Sequence, residues 1–209
     1  MQRGALLVLE GCDRVGKSTQ AKQLVAALNK LGIKAESRSF PDRSTHIGSI
    51  INEFLSNKND IRIEAAHLLF SANRWECSNK MKKTLESGTT LVVDRYAASG
   101  AAYTSAVTGR NLDWCKEADR GLPAPDFVAL FTIDVETLSA RSGWANERYE
   151  KLEIQKKVAN NFLKLKDDTW QIIESNQPID VIHQKLLKDA IDIIESVKNK
   201  PIKELYSTE

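Results

Sequence analysis

Ala5 to Leu9 is an unbroken apolar run, the pattern of a strand buried on both faces of a parallel sheet. From Lys17 onward Ala21, Leu24, Val25, Leu28 and Leu31 recur at helical spacing, and Gly32 supplies a stop. A strand, a Gly-containing turn and a helix are therefore predicted in that order. Ser44 is the expected cap of a second helix whose buried stripe is Ile47, Ile50, Ile51, Phe54 and Leu55. A third, longer helix is expected from about Ile63 to Ser87, ending at Gly88. Thr89 to Val93, closed by Asp94, and Phe127 to Ile133, preceded by Pro123 and Pro125, read as further buried strands, with Ile33 to Phe40 a weaker one. Beyond Tyr149 the pattern predicts a charged amphipathic helix through Val158 and Phe162 and a short strand near Gln171 to Glu174. A final helix should bury Ile182, Leu186, Ala190, Ile193 and Val197. The alternation implies one α/β domain: a five-stranded parallel sheet with helices on both faces and ligands at the carboxyl ends of the strands.

Composition narrows the partners. The 209 residues carry a net charge of +2, too little for a global field that would hold nucleic acid or an anionic membrane. Any anionic ligand must be gripped locally. The longest apolar run, Phe127 to Ile133, is far short of the roughly 20 residues a bilayer requires. The apolar stretch after Met1-Gln2-Arg3 is closed at once by Glu10, which is not the layout of a signal peptide, so the cytoplasm is the expected compartment. Cys12, Cys77 and Cys115 share no metal-type spacing and fit reduced thiols. His46, His67 and His183 also lack ligand spacing and read as structural or exposed.

Chemistry enters at Gly11-Cys12-Asp13-Arg14-Val15-Gly16-Lys17-Ser18, which matches the phosphate-loop pattern in its required setting between a strand and a helix. Its backbone N–H groups would cradle phosphates beside a helix amino terminus, Lys17 would reach the β and γ phosphates, and Ser18 would hold magnesium. Asp94, at the end of a buried strand, is placed as phosphate-loop proteins place an acidic residue near the metal.

Two classes of phosphate-loop protein then compete. Asn57-Lys58-Asn59-Asp60 fits the guanine-reading motif of regulatory GTPases, but it trails an amphipathic helix rather than a buried strand, and no DxxG closes a later strand. Arginines favour a kinase. Arg14 lies in the loop, Arg43 precedes a helix start beside Ser44 and Thr45, Arg74 is mid-helix, Arg95 follows Asp94, and Arg141 and Arg148 flank a segment with Gly143. A second anion site at Arg43 suggests that donor and acceptor both carry phosphate. Phe70 and Arg74, four residues apart, share a helix face and suit a nucleobase, the ring stacking and the guanidinium bonding carbonyls. A deoxynucleoside kinase acting on an uncharged hydroxyl is the alternative enzyme, and it would need a carboxylate base.

The chain resembles the thymidylate kinases of the eukaryotic type. The resemblance runs through Gly11 to Thr19, Phe40-Pro41-Asp42-Arg43-Ser44-Thr45, Leu68 to Glu76, Val92 to Ala97, Ser99-Gly100, Gly121-Leu122-Pro123, Pro125-Asp126 and Glu147 to Glu150. It implies ATP-dependent phosphorylation of dTMP to dTDP with magnesium. Arg43 and Arg95 would then hold the acceptor phosphate, Phe70 would stack on thymine and Arg74 would bond its carbonyl. Asp13 would serve the deoxyribose and catalytic groups, Tyr103 would crowd the sugar 2′ position, and Tyr149 would help close the acceptor site, to which Phe40, Ser99 and Gly100 also belong. Gly11, Asp13, Arg14, Val15, Gly16, Lys17, Ser18 and Thr19 would bind ATP, with Arg141 near adenine and residues 141–149, including Arg148, forming a lid. A homodimer built by helix packing is implied as well.

Overall fold

Leu6–Gly11 forms strand β1, buried at every residue. The structure, a computed structural model, describes residues 2–134, 137–138 and 147–207. After the turn at 12–16 come α1 (Lys17–Lys30), β2 (Ala35–Ser39), α2 (His46–Leu55), α3 (Ile63–Glu86), β3 (Thr90–Asp94) and α4 (Ala97–Thr108). These are followed by α5 (Leu112–Glu117), β4 (Phe127–Thr132), α6 (Leu152–Leu165), β5 (Trp170–Glu174) and α7 (Ile179–Val197). The strands make one sheet in the order β2-β3-β1-β4-β5, and every neighbouring pair is parallel. The connection from β1 runs to β2 at one edge and that from β3 runs back past β1 to β4, so a crevice opens at the carboxyl ends of β1 and β3, where α/β sheets bind ligands.

Alternation along β1 divides the core. Leu6 and Val8 pack with Met81 and Leu85 of α3, whereas Leu7 and Leu9 belong to the larger cluster that holds Leu24 and Leu28 of α1 and Leu186 and Ala190 of α7. Both faces of the sheet are thus covered, as the uninterrupted apolar strands require.

Several boundaries differ from the sequence pattern for identifiable reasons. Thr45, not Ser44, caps α2: it has extended backbone, and its hydroxyl accepts from Gly48 N at 2.9 Å. Ser44 instead donates to Asp42 Oδ1 at 2.6 Å. In α7 the buried residue is Ile194 rather than Ile193, because it lies one full turn from Ala190. Leu31 falls past the end of α1 and is exposed. Helices α4 and α5 were not foreseeable from periodicity. Small Ala, Ser, Thr and Gly residues dominate α4, and it is buried on several sides, so it has no polar face to reveal a period. Asn57 to Asp60 lies in the turn between α2 and α3, consistent with a polar loop.

Candidate active site

The phosphate loop follows β1 directly. Gly16 caps α1 with φ 95°, a left-handed conformation that glycine adopts without steric cost. Arg14 is also left-handed, at φ 64°, and its guanidinium meets Glu150 Oε1 at 3.3 Å. Val15 is buried beneath the loop, while Thr19 and Gly16 line the cleft above it. Lys17 is almost wholly buried and donates to the Cys12 carbonyl at 2.5 Å. Burial, reinforced by Arg95, lowers its pKa to about 8. Burial likewise raises the Cys12 thiol to about 11, which leaves it protonated and inert.

Ser18 and Asp94 meet across the loop, the Ser18 hydroxyl donating to Asp94 Oδ2. Asp94 Oδ1 is shielded from solvent and has no hydrogen-bond partner among the described residues. A buried carboxylate oxygen left unsatisfied beside a hydroxyl is a donor set suited to magnesium, which usually takes one or two carboxylates together with phosphates and water.

Arg95 extends from the end of β3 with φ 66°. Strained backbone at such a position is a feature of ligand-gripping sites. Its Nη1 reaches the Gly11 carbonyl at 3.2 Å and Ser99 Oγ at 3.3 Å, and Nη2 binds Asp13 Oδ1. The other Asp13 oxygen accepts from Tyr103 at 3.0 Å and from Gln155 Nε2 at 2.6 Å. Burial alone would raise the Asp13 carboxyl, but the Arg95 charge, followed by Lys17 and these two bonds, outweighs it and holds the pKa below the usual range. Asp13 therefore joins the donor loop to α4 and α6.

The same cleft continues toward Arg43 and Phe70. It encloses about 760 Å³ and is lined at one end by Lys17 and Ser18 and at the other by Phe70, Arg74 and Gly100. Arg43 stands half exposed at the rim, bonded to Asn52 at 2.8 Å and Glu147 at 2.7 Å. Phe40 is buried and tilts against Tyr96. Tyr149 lies beside Tyr103, the ring centroids 5.9 Å apart. Arg74 is buried, and its Nε and Nη2 bind the two oxygens of fully buried Asp119 at 2.9 and 2.7 Å. Nη1 is the nitrogen that Asp119 does not engage. Gly100 makes room for this guanidinium: a Cβ there would stand 2.7 Å from Nη2.

Most of the expected residues thus line one cleft; Gly11 and Val15 lie in the loop without lining it, and Arg148 stands apart. Arg148 turns away from it, bonding the carbonyls of Phe54 and Asn59 at 3.0 and 3.1 Å and lying over the Phe54 ring. It braces the turn after α2, which supplies the acceptor oxygens of Phe54, Asn59 and Asp60. Arg141 and the lid residues to 146 lie outside the described residues.

Three participants are not among the residues expected from the sequence. Gln155 is buried on α6; its Oε1 accepts from the Asp13 backbone N–H and its Nε2 donates to the Asp13 carboxylate. Asp119 sits in an irregular turn. Glu10, buried within β1, accepts from the N–H groups of Tyr96 and Ser99 and from the Ser99 hydroxyl, fixing the first turn of α4; burial raises its pKa. Only Glu10 left a hint, as an acidic residue inside an otherwise apolar strand.

A protein-family model described as thymidylate kinase matches residues 9–186. The chain is 43% identical to the thymidylate kinase of Homo sapiens over 208 residues, covering 98% of each chain. It is 45% identical to that of Arabidopsis thaliana over 207 residues, covering 99% of this chain and 78% of the relative. A solved thymidylate kinase from Candida albicans superposes with a TM-score of 0.86 at 39% identity, covering 98% of this chain and 99% of that one.

Proposed function

Given that the chain belongs to the thymidylate kinase family, we propose that it transfers the γ-phosphoryl group of ATP to dTMP, giving dTDP and ADP. One observation carries this reading: a single cleft joins the phosphate loop to a second group of arginines and ends at a buried arginine beside an aromatic ring. ATP phosphates occupy the loop, the dTMP phosphate meets Arg95 and Arg43, and thymine stacks on Phe70 with a carbonyl toward Arg74 Nη1.

A dTMP phosphate oxygen forms the new bond to the γ-phosphorus as the bond to the β–γ bridging oxygen breaks. Because the acceptor is already an anion, no proton need be removed, and catalysis reduces to alignment and charge neutralisation. Lys17 and Arg14 stabilise the transferring group from the loop, and Arg95 positions the acceptor while holding Asp13 ionised beside the sugar. Tyr103 narrows the space at the sugar 2′ position, and Tyr149 bounds the acceptor end. Ser18 and Asp94 would hold magnesium, which supplies Lewis-acid neutralisation of the phosphate oxygens. Arg141, by its place in the family pattern, serves the adenine end.

Two copies pair through the α3–α5 side, where Leu68, Trp75 and Trp114 are 55, 40 and 37% exposed and offer apolar surface for helix packing. A reducing, cytoplasmic setting suits the three free cysteines.

The test is ADP release with ATP and magnesium across a panel of acceptors. dTMP should give the highest kcat/KM, with dUMP weaker and dAMP, dGMP and dCMP near background, because the dCMP amino group offers Arg74 a donor where it needs an acceptor. If dCMP or dGMP were best the reading is wrong, and efficient use of thymidine would favour a deoxynucleoside kinase.

A further inference from the structure

Arg74 is the nitrogen source at the base end of the cleft, yet what holds it comes from outside the cleft. Its bidentate partner Asp119 lies in the irregular turn after α5, a backbone with no helix or strand of its own to fix it. On the α3 side this turn is tied at Ala118, whose carbonyl accepts from Ser71 at 2.7 Å and Trp75 at 2.8 Å. On its far side it pairs with a distant stretch of chain. Gly121 N donates to the Leu205 carbonyl at 2.9 Å, Leu205 N to the Leu122 carbonyl at 2.7 Å, and Ala124 N to the Lys203 carbonyl at 2.8 Å. Leu122, fully buried, donates in turn to the Asp119 carbonyl at 3.2 Å.

The geometry points to the segment Lys200–Tyr206 as a strap that positions Arg74 for base recognition by holding the Asp119 turn in register, an inference that rests on the base-reading role of Arg74 proposed above. The strap is itself secured at both ends. Arg3, ion-paired with Asp126 at 2.7 Å, donates to the Lys200 carbonyl at 2.6 Å, and Arg120 donates to the Tyr206 carbonyl. Between them Ile202 and Leu205 pack against the cluster that contains Leu122 and Tyr96. No residue of the strap lines the cleft, so its influence on an acceptor must pass through Asp119 and the guanidinium. A bidentate pair transmits such a shift well, since two parallel bonds fix the plane of the fork as well as its place.

The experiment compares the unaltered chain with a variant lacking 203–209, the milder Leu205→Ala, and Arg74→Lys. Readouts are KM for dTMP, KM for ATP, kcat, competition by 2-deoxyribose 5-phosphate, which carries the acceptor phosphate without a base, and thermal melting. The deletion should raise the dTMP KM about tenfold and Leu205→Ala about threefold, the scale of weakening one charged hydrogen bond. kcat, the ATP KM and competition by 2-deoxyribose 5-phosphate should stay within about twofold. If the deletion fails to fold, Leu205→Ala decides. A folded strap variant with an unchanged dTMP KM, or one whose dTMP and ATP KM rise together, overturns the inference. Arg74→Lys tells the two claims apart: an unchanged dTMP KM there removes the base-reading role itself, whereas a raised one beside unaffected strap variants overturns the strap alone.

Discussion

Gly100→Ala isolates the base end of the cleft. In most helix interiors this change stabilises by about 0.5–1 kcal/mol. Here the new Cβ would lie 2.7 Å from Arg74 Nη2 and 3.3 Å from its Cζ, so guanidinium and helix must separate by roughly 0.7 Å to reach an ordinary contact. A long side chain normally swings aside at little cost. Arg74 cannot, because Nε and Nη2 are held by a carboxylate with no exposure, and α4 cannot retreat over its fully buried Ala101 and Ala102. Overpacking of this kind costs about 1–3 kcal/mol, which the helix-propensity gain partly offsets. Displacing the fork from the base carbonyl forfeits most of a charged hydrogen bond, about 1.5–3 kcal/mol, or about 10- to 100-fold in the dTMP KM. Steady-state kinetics with dTMP varied at saturating ATP, then ATP varied at saturating dTMP, should show the loss only in the first series. A variant that melts higher than the parent with an unchanged dTMP KM would refute the argument, since the methyl would then have been accommodated without displacing the guanidinium.

Two further outcomes concern the donor loop. Arg14→Gly should fold normally, because φ 64° is a conformation glycine prefers, should keep the dTMP KM within a few-fold, and should lower kcat by ~10² to 10⁴; a melting curve like the parent's with near-normal kcat would place transition-state stabilisation elsewhere. Lys17, with its pKa lowered to about 8 by burial, should lose its proton as pH rises through that value. Bound phosphates favour the charged amine, so ATP affinity should weaken between pH 7 and 9 with proton uptake on binding. In the nucleotide-free protein the burial penalty is present below pH 8 and relieved as pH rises toward 10.5, so stability should move the opposite way. Calorimetry in buffers of different ionisation heat reads the uptake, and pH-independent ATP binding contradicts it.

How far the chain could be read without coordinates depends on the kind of signal each part emits. Strands buried on both faces and helices with one buried stripe declare themselves, so the sheet, α1, α3 and α6 were placed to within a few residues. Helix α4 was invisible for the same reason that it works: small residues on every side let it lie between α3 and α6 and let Gly100 admit a guanidinium. The phosphate loop is legible because its spacing is dictated by one phosphate. Asp13, Arg95 and Tyr103 could be named from family resemblance, but Gln155 is joined to Asp13, and Asp119 to Arg74, only in three dimensions, across sequence separations of 142 and 45 residues. Arg74 shows the cost of that gap. Without Asp119 in view, Arg74→Ala looks like a clean probe of the base, whereas it would strand a buried carboxylate at about 3–5 kcal/mol.

The Lys17 ammonium, seated on the Cys12 carbonyl, has a bearing on how ATP arrives. The amine already lies inside the loop and has already given up its water, so the incoming phosphate replaces one oxygen partner with another instead of drawing a solvated side chain in from the surface. No rare open conformer has to be awaited for this residue, and the apparent affinity is not discounted by a small competent population. As far as this residue is concerned, the encounter with nucleotide is then set by diffusion and by the orientation of the triphosphate rather than by a side-chain rearrangement.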